Sequence, residues 1–387
     1  MPHAPAVRRR LAVLAALFAP MLCTATAQAA EMRVVIGVAV PLSGPLSASG
    51  QDAVNGVQLA IDKLNAEHAR IADQPVRWVM DAEDDQGLPN QATLVAQKLV
   101  DEHVNGVVGH QTSGCTFPAA RIYSAAGIPQ ITPSSTDPKI AQQGYKTFFR
   151  MIANDDALGA GLANYADHTL KAKRVAVVDD RTAYGEGVAD VFAATAKRDG
   201  MTVVDREYTD DKTTQFSAIL TRIRGFHPDV VFYGGMYSRA GPLLRQMRQF
   251  GMKATLMGGD GICAPAMATL AGQAVNGTIC AQGGVPLSRL PKGQAWKVDY
   301  IRHFGQGAFQ LYSPYAYDAT MVLAHAMMKA RSADPKVYLH AIRDVDDDGI
   351  TKSHIRFTST GELVHPSITL SMFVHGKKTP LAVERVN

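Results

Sequence analysis

The strongest constraint on the fold of this chain is a regular alternation of short apolar strands and amphipathic helices. In the first series, the strand-like segment 33–40 precedes the segment 52–65, in which apolar residues recur at helical spacing. A second series begins at 173–178, continues with a helix-like segment at 184–198, and reaches a strand-like segment at 254–257. Strands joined by helices of this length run parallel, with right-handed crossovers. The sequence therefore predicts an α/β fold of two three-layer αβα lobes, each with a parallel central sheet.

The N-terminus has the pattern of a secretory signal. Three arginines at 8–10 precede the apolar segment 11–22, and small residues ending in Ala29 and Ala30 provide a cleavage site. Leu22 directly before Cys23 argues against a lipoprotein. We expect residues 1–30 to be removed and the mature protein to be a soluble periplasmic protein.

Charge and length restrict the function and the domain organisation. The chain has 39 Lys and Arg against 35 Asp and Glu, and the predicted signal contains three of the arginines and no acid, so the mature counts are 36 and 35. No basic block with interleaved aromatic residues follows, which argues against nucleic-acid binding. The roughly 357 residues after the signal exceed what one hydrophobic core usually supports. Because no Pro/Gly/Ser-rich linker separates the two series, we expect a hinge of several short crossings.

The cysteines allow at most one intramolecular disulfide after the signal is removed. Cys115, Cys263 and Cys280 remain, an odd number in an oxidising compartment. Cys263 and Cys280 follow or lie within strand-like segments that can be neighbours, so we expect this pair to be bonded. Cys115 is then free, and its position in a packed turn favours a buried thiol over a reactive one. No metal-ligand spacing accompanies the cysteines.

Hydroxyl-rich loops follow two neighbouring strands of the first series, at 109–116 and 131–138. Parallel α/β sheets bind ligands beyond the carboxyl ends of their strands. A stretch that resembles a helix follows each loop, and helix N-termini present unpaired N–H groups and a partial positive charge. We expect a small-carboxylate site here, with hydroxyl donors from Ser113, Ser134, Ser135 and Thr136. The alternative is that these residues only cap their helices.

In the second series, the same strand-end rule selects Asp260 and Tyr184. Asp260 is flanked by glycines directly after a strand, which would let its carboxylate approach a ligand cation closely. The alternative is a turn aspartate that bonds to its own backbone. Tyr184 stands at a helix start and would cover an apolar part of a ligand, although a core tyrosine is an equal alternative.

In these segments the chain resembles the periplasmic leucine/isoleucine/valine-binding family, the receptor components of branched-chain amino acid ABC transporters. The similarity runs from about residue 34 nearly to the C-terminus, and it is carried by short motifs at 36–44, 107–116, 128–136, 184–187, 233–235, 257–261 and 315–319. The resemblance implies the type I periplasmic binding protein fold. It also implies lobe 1 from residues 31–154 and 284–364, and lobe 2 from 155–283 and 365–387.

The resemblance further implies a monomeric two-lobe clamp, without a cofactor, that delivers an amino acid to an inner-membrane permease. Ser113, with groups at Ser134 and Thr136, matches the positions that hold the ligand α-carboxylate. Asp260 matches the acid that pairs with the α-ammonium group, and Tyr184 matches an aromatic position that lines the cleft. Charge-assisted hydrogen bonds of this kind are stronger than neutral ones, which selects the amino acid head group.

Departures from the family pattern concern the ligand side chain. Ser49 and Met236 stand where branched-chain binders often have aromatic residues. Gln111 and Thr112 replace a more apolar or cysteine-containing pair, and Asp260 is one methylene shorter than the Glu of several members. Leu, Ile or Val remains the first expectation for the ligand. The absence of two aromatic side chains would make room for a larger ligand side chain, and Gln111 would accommodate a polar group on it.

Two other functions stay open at this point. A ligand sensor for amides or for aromatic or carboxylic acids would share the fold. An exported amidase-like enzyme would need a nucleophile with a positioned base, and Ser113 has only His110 near it in sequence.

Overall fold

The computed structural model describes residues 1–4 and 31–385. The predicted signal, including Cys23, therefore lies outside the described residues except for its first four. Among the described residues, no helix is both long and apolar enough to cross a membrane.

The first part of the chain builds a six-stranded sheet in the order β2-β3-β1-β4-β5-β6. Every neighbouring pair is parallel except β2 and β3. β1 is central, with Ile36 opposite Met80 on one side and Gly106 on the other. The strands are β1 (Met32–Val40), β2 (Arg70–Ile71), β3 (Gln74–Asp84), β4 (Gly106–Gly109), β5 (Gln130–Thr132) and β6 (Phe148–Arg150), and the helices between them are α1 (Ser47–Ala66), α2 (Pro89–Asp101), α3 (Ser113–Ala126) and α4 (Lys139–Gln142).

The middle of the chain builds most of a second sheet by the same alternation. Its strands β7 to β11 are all parallel to their neighbours. The strands are β7 (Arg174–Asp179), β8 (Thr202–Tyr208), β9 (Val230–Gly234), β10 (Thr255–Gly258) and β11 (Ile279–Gly283), and the helices are α5 (Asp155–His168), α6 (Ala183–Arg198), α7 (Ser217–Gly225), α8 (Tyr237–Gln249) and α9 (Ala266–Ala271).

The last hundred residues serve both halves. Three helices pack on the first half: α10 (Pro291–Phe304), α11 (Ser313–Ala330) and α12 (Pro335–Arg343). Two strands, β12 (Ser367–Val374) and β13 (Lys377–Arg385), then complete the second sheet in the order β13-β12-β11-β10-β9-β7-β8. The chain thus crosses between the halves three times, after β6, after β11 and before β12, and these crossings form the hinge.

Both sheets are covered on both faces. In the first half, one core packs α1, α11 and α12 on the sheet, and a second core packs α2 and α3 on its other face. In the second half, α7 to α9 cover one face, and α5 and α6 cover the other. The predicted pair of three-layer αβα lobes is confirmed. The central strands of both sheets are parallel, as predicted, and the structure adds antiparallel pairs at the ends of the sheets: β2 with β3 in the first, and β12 with β11 and with β13 in the second.

The structure joins Cys263, just beyond β10, to Cys280 of β11 by a disulfide with a Cα–Cα distance of 5.6 Å. The two strands are parallel neighbours, with Gly258 opposite Cys280. Cys115 in α3 is a free, buried thiol, and burial raises its pKa well above the ordinary value. A thiol with a raised pKa carries little thiolate at neutral pH and is a poor nucleophile.

Candidate ligand-binding cleft

A cleft lies between the strand ends of the two lobes, where loops after β4, β5, β9 and β10 meet. About 390 Å³ between its side chains is free of protein atoms, and the hydroxyls of Tyr237 and Tyr312 form hydrogen bonds from one lobe to the other across it. The described conformation is therefore a closed one. Both lobes contribute to the lining, which consists of Leu46, Ser49, Gln111, Thr112, Ser113, Ser134, Tyr184, Met236, Tyr237, Asp260, Gly261, Ala264, Leu311 and Tyr312.

The first-lobe side of the cleft is the N-terminus of α3. Thr112 has extended backbone angles before the helix, and among the described residues its side chain caps nothing and has no hydrogen-bond partner. The Ser113 Oγ accepts hydrogen bonds from the backbone N–H groups of Thr136 (3.3 Å) and Asp137 (3.2 Å). Since Oγ accepts two bonds, its own proton remains for donation to a ligand oxygen.

The second predicted helix, α4, has only four residues, and the Asp137 carboxylate already accepts a hydrogen bond from its first N–H group, that of Lys139. The hydroxyls beside it serve the loop instead. The Oγ of Ser134 donates to the carbonyl of Gln111 at 2.8 Å, and Ser135 donates to the carbonyl of His110 at 3.1 Å. Ser134 lines the cavity, whereas Ser135 and Thr136 do not. Thr136 contributes through its backbone, by holding Ser113.

Buried polar groups beneath the loop hold its shape. The ring of His110 lies between Asp85 and Tyr123, with Nδ1 2.7 Å from the Asp85 carboxylate and Nε2 3.1 Å from the Tyr123 hydroxyl. The buried guanidinium of Arg150 forms a bidentate pair with Glu362 at 3.0 and 3.1 Å and donates to the carbonyl of Asp137 at 2.8 Å. Paired buried charges of this kind fix a single loop conformation.

On the second-lobe side, Asp260 begins a short 3-10 turn after β10 and is 2% exposed. Its Oδ2 accepts a 2.9 Å hydrogen bond from the Tyr312 hydroxyl, which belongs to the other lobe. Its Oδ1 is buried and has no partner within the described chain. Burial raises the pKa of Asp260 to about 6, and the hydrogen bond from Tyr312 acts in the opposite direction.

The glycines on either side of Asp260 make room for Tyr184. A Cβ at Gly259 would lie 2.6 Å from the Tyr184 hydroxyl, and one at Gly261 would lie 2.8 Å from its ring. The backbone N–H of Gly261 donates to the Tyr184 hydroxyl at 2.9 Å. Tyr184 is therefore a cleft wall that positions the Asp260 turn.

Asp155, the first residue of α5, is a second buried acid that the sequence analysis missed. It is fully buried, and neither carboxylate oxygen has a hydrogen-bond partner in the part of the chain that the structure describes. Burial raises its pKa well above the ordinary value, and the negative charge of Asp260 raises it further. Each of the two carboxylates makes ionisation of the other less favourable, so a cation near both would stabilise their charged forms.

Apolar side chains, including those of Leu46, Met236 and Leu311, form part of the cleft wall. One polar group interrupts them: the Gln111 Nε2 donates to the Ser49 Oγ at 2.9 Å, while the Gln111 Oε1 is buried without a partner among residues 31–385. The sequence analysis selected eight of the lining residues and missed six others, namely Leu46, Tyr237, Gly261, Ala264, Leu311 and Tyr312.

Two of the missed residues hold the lobes together. The hydroxyl of Tyr237, the first residue of α8, donates to the carbonyl of Pro45 at 3.2 Å, and Tyr312 reaches Asp260. The strand-end rule includes the loop of Tyr237. It cannot select Tyr312, because Tyr312 precedes a helix that follows no strand.

The arrangement can hold a ligand, but among the described residues no base is positioned to activate Ser113 as a nucleophile. The His110 ring is fully buried and engaged on both nitrogens, and in the described chain the Ser113 Oγ meets backbone N–H groups rather than a base. A serine without a general base is a weak nucleophile. What the cleft offers is hydrogen-bond donors from Ser113 and the N-terminus of α3, together with one carboxylate oxygen of Asp260 that has no partner among the described residues.

Comparison with known proteins gives consistent results. The sequence model of the periplasmic binding protein family matches residues 33–375. An amino acid binding protein of Pseudomonas aeruginosa is 37% identical over 307 residues, which cover 78% of this chain and 80% of that protein. The Leu/Ile/Val-binding protein BraC3 of Rhizobium johnstonii is 31% identical over 354 residues, which cover 91% of this chain and 95% of that protein.

Among solved structures, the branched-chain amino acid transporter substrate-binding protein LivJ from Streptococcus pneumoniae, in complex with isoleucine, superimposes with a TM-score of 0.83. It is 26% identical, and the match covers 92% of this chain and 99% of that one.

Proposed function

The chain belongs to the periplasmic binding protein family, as a non-catalytic substrate-binding protein of an ABC transporter, and we propose that its ligand is a free α-amino acid, first of all Leu, Ile or Val. The observation that carries the proposal is the polarity of the cleft. Donors at the N-terminus of α3 face the unpartnered oxygen of Asp260 across the closed cleft, which suits the two ends of a zwitterion.

The acidic end favours an amine over a neutral or purely acidic ligand. Asp260 and Asp155 are both buried, and burial raises the pKa of each carboxyl group. An α-ammonium group next to Asp260 would stabilise its charge and lessen the burial penalty. An aromatic or carboxylic acid without an amine would leave that penalty in place.

Branched-chain ligands fit the apolar side chains that line part of the cleft, and the names of two relatives refer to Leu, Ile and Val binding or transport. An amino acid with an amide or hydroxyl side chain is the second candidate. The unpartnered oxygen of the buried Gln111 side chain favours it, because a ligand donor there would satisfy that group.

Lobe closure is the proposed transport mechanism. Residues 31–154 and 284–364 would move as lobe 1 against 155–283 and 365–387 as lobe 2. Tyr312 and Tyr237 hydrogen-bond across the cleft, and a ligand that touches both Ser113 and Asp260 does so only in the closed state. We propose that the closed monomer then docks on an inner-membrane permease from the periplasm.

A thermal-shift screen of refolded, ligand-free protein tests the ligand class. The panel contains the twenty amino acids, aliphatic amides and aromatic acids, with the Asp260→Asn variant as control. A ligand present at a hundredfold excess over its Kd stabilises the closed state by about 2.7 kcal/mol, which is a clear shift in Tm. We expect a shift with Leu, Ile and Val that the variant loses. Shifts only with acids that lack an amine would contradict the assignment.

A further inference from the structure

A second cavity of about 250 Å³ lies between the lobes, on the hinge side of the ligand cleft. The first lobe contributes residues of α10 and of the segment before α11, and the second lobe contributes residues of β11, β12 and β13. Leu311 is its only residue in common with the lining of the ligand cleft. The two spaces are therefore adjacent but distinct.

Two lysines from opposite lobes line this cavity. Lys378 of β13 donates a hydrogen bond from its Nζ to the Oε1 of Gln282. Lys297 of α10 places its Nζ 4.4 Å from the centre of the Phe309 ring. The lining contains no Asp or Glu, and neither lysine forms an ion pair within the described part of the chain.

The two ammonium groups destabilise each other's charge. Burial, and to a lesser extent repulsion from Lys297, lowers the pKa of Lys378 to about 7. Burial also lowers the pKa of Lys297. The acids that oppose this shift, Asp260 and Asp52, are bonded elsewhere: Asp260 to Tyr312, and Asp52 to the backbone N–H groups of residues 310–313.

We propose that this cavity is a second binding site, for a small anion with a carboxylate or phosphate group that bridges Lys297 and Lys378. An anionic oxygen between the two ammonium groups would replace their repulsion by two charge-assisted hydrogen bonds. Ser371, Thr369 and Gln294 offer further polar groups around it. The proposal does not depend on the identity of the ligand in the main cleft.

Because each lobe supplies one lysine, the bound anion would stabilise the relative arrangement of the lobes described here. A ligand that favours the closed state raises the affinity of any other ligand that favours it, and the effect is reciprocal. The anion would thus tighten binding in the main cleft, and a cleft ligand would tighten anion binding by the same factor.

Titration calorimetry and thermal shift with inorganic phosphate and with succinate test the site, against sodium chloride at equal ionic strength. The test variant is Lys378→Gln, and the matched control is Lys377→Gln, an exposed lysine one residue earlier on the same strand. Lys297→Gln is the second test variant, on the opposite lobe, in case Lys378→Gln fails to fold.

We expect a saturable shift with at least one of the two anions, weakened about tenfold or more by Lys378→Gln and by Lys297→Gln and unchanged by Lys377→Gln. Preference for phosphate or for succinate identifies the anionic group. Since the anion restores the proton on Lys378, its affinity falls as the pH rises above about 7. No saturable response to either anion, or an equal response in the lysine variants, overturns the proposal.

Discussion

Replacing Asp260 by Asn should raise the stability of the ligand-free protein while it lowers the affinity for the ligand. Asn keeps the size of the side chain and can still accept the hydrogen bond from Tyr312, but it carries no charge. The buried carboxylate has a pKa of about 6 against 3.8 for the free group, a rise of about two pKa units. Each unit corresponds to about 1.4 kcal/mol, so the ionised carboxylate destabilises the ligand-free fold by about 3 kcal/mol above pH 6.

The direction in which stability changes with pH follows from the raised pKa of Asp260. Below the unfolded value the carboxyl is protonated in both states and contributes nothing, and stability is lost as the pH rises from about 4 through 6. At pH 7.5 we therefore expect ligand-free Asp260→Asn to be more stable than the wild type by up to about 3 kcal/mol. The loss of repulsion on Asp155 acts in the same direction. Ligand affinity should fall roughly 100-fold or more, because the ammonium loses its charged partner.

Urea unfolding at pH 7.5 and at pH 4, together with calorimetric titration of leucine, measures these quantities. The matched control is Asp211→Asn, an exposed aspartate of the same lobe near the mouth of the cleft, which we expect to change stability by less than about 0.5 kcal/mol. A ligand-free Asp260→Asn protein that is less stable than the wild type at pH 7.5, or a gain that persists at pH 4, would refute the reasoning.

Three further predictions concern the cleft and the second lobe. The Kd for the amino acid should rise about tenfold between pH 7 and pH 5, because protonation of Asp260 below its pKa of about 6 competes with the ligand; calorimetry across this range should show the change, and Asp260→Asn should lack it. Ser113→Ala should weaken binding by about 1 to 2 kcal/mol, less than Asp260→Asn, because the N–H groups of α3 remain; an equal or larger loss in a titration would contradict this. The Cys263→Ser/Cys280→Ser double variant should unfold about 3 kcal/mol more easily in urea, since the disulfide closes a loop with a sequence separation of 17; an unchanged midpoint would argue against it.

The strand and helix alternation was predictable from sequence because apolar periodicity records which faces are buried. The strand predicted from 173 to 178 differs from β7 by one residue at each end, and β1 begins one residue before its predicted start. The antiparallel strands β12 and β13 were missed, although the polar residues at 367, 369 and 371 alternate with apolar ones. Their connection at His375 and Gly376 has positive φ at both residues, and sequence favours such turns chiefly through Asn-Gly or Asp-Gly pairs, which this chain lacks there.

The cleft was predictable where a ligand position follows directly from a strand end, as for Ser113 and Asp260. Asp155 was missed because it opens a helix after a hinge crossing, and nothing in the local sequence indicates that the other lobe covers it. Tyr312 was missed for a similar reason, since its partner Asp260 is 52 residues away in sequence. Contacts between lobes depend on how the lobes approach each other, and local patterns carry no information about this approach.

The triple crossing of the chain between the lobes has a consequence for biogenesis. The first lobe lacks α10 to α12 until residue 343 is available, and the edge of β11 stays uncovered until β12 pairs with it from residue 367 onward. A polypeptide that folds as it emerges N-terminus first therefore cannot complete either lobe until nearly its whole length is available. Until its final twenty residues appear, the unfinished sheet edges of the growing chain are open to wrong pairing and to proteases.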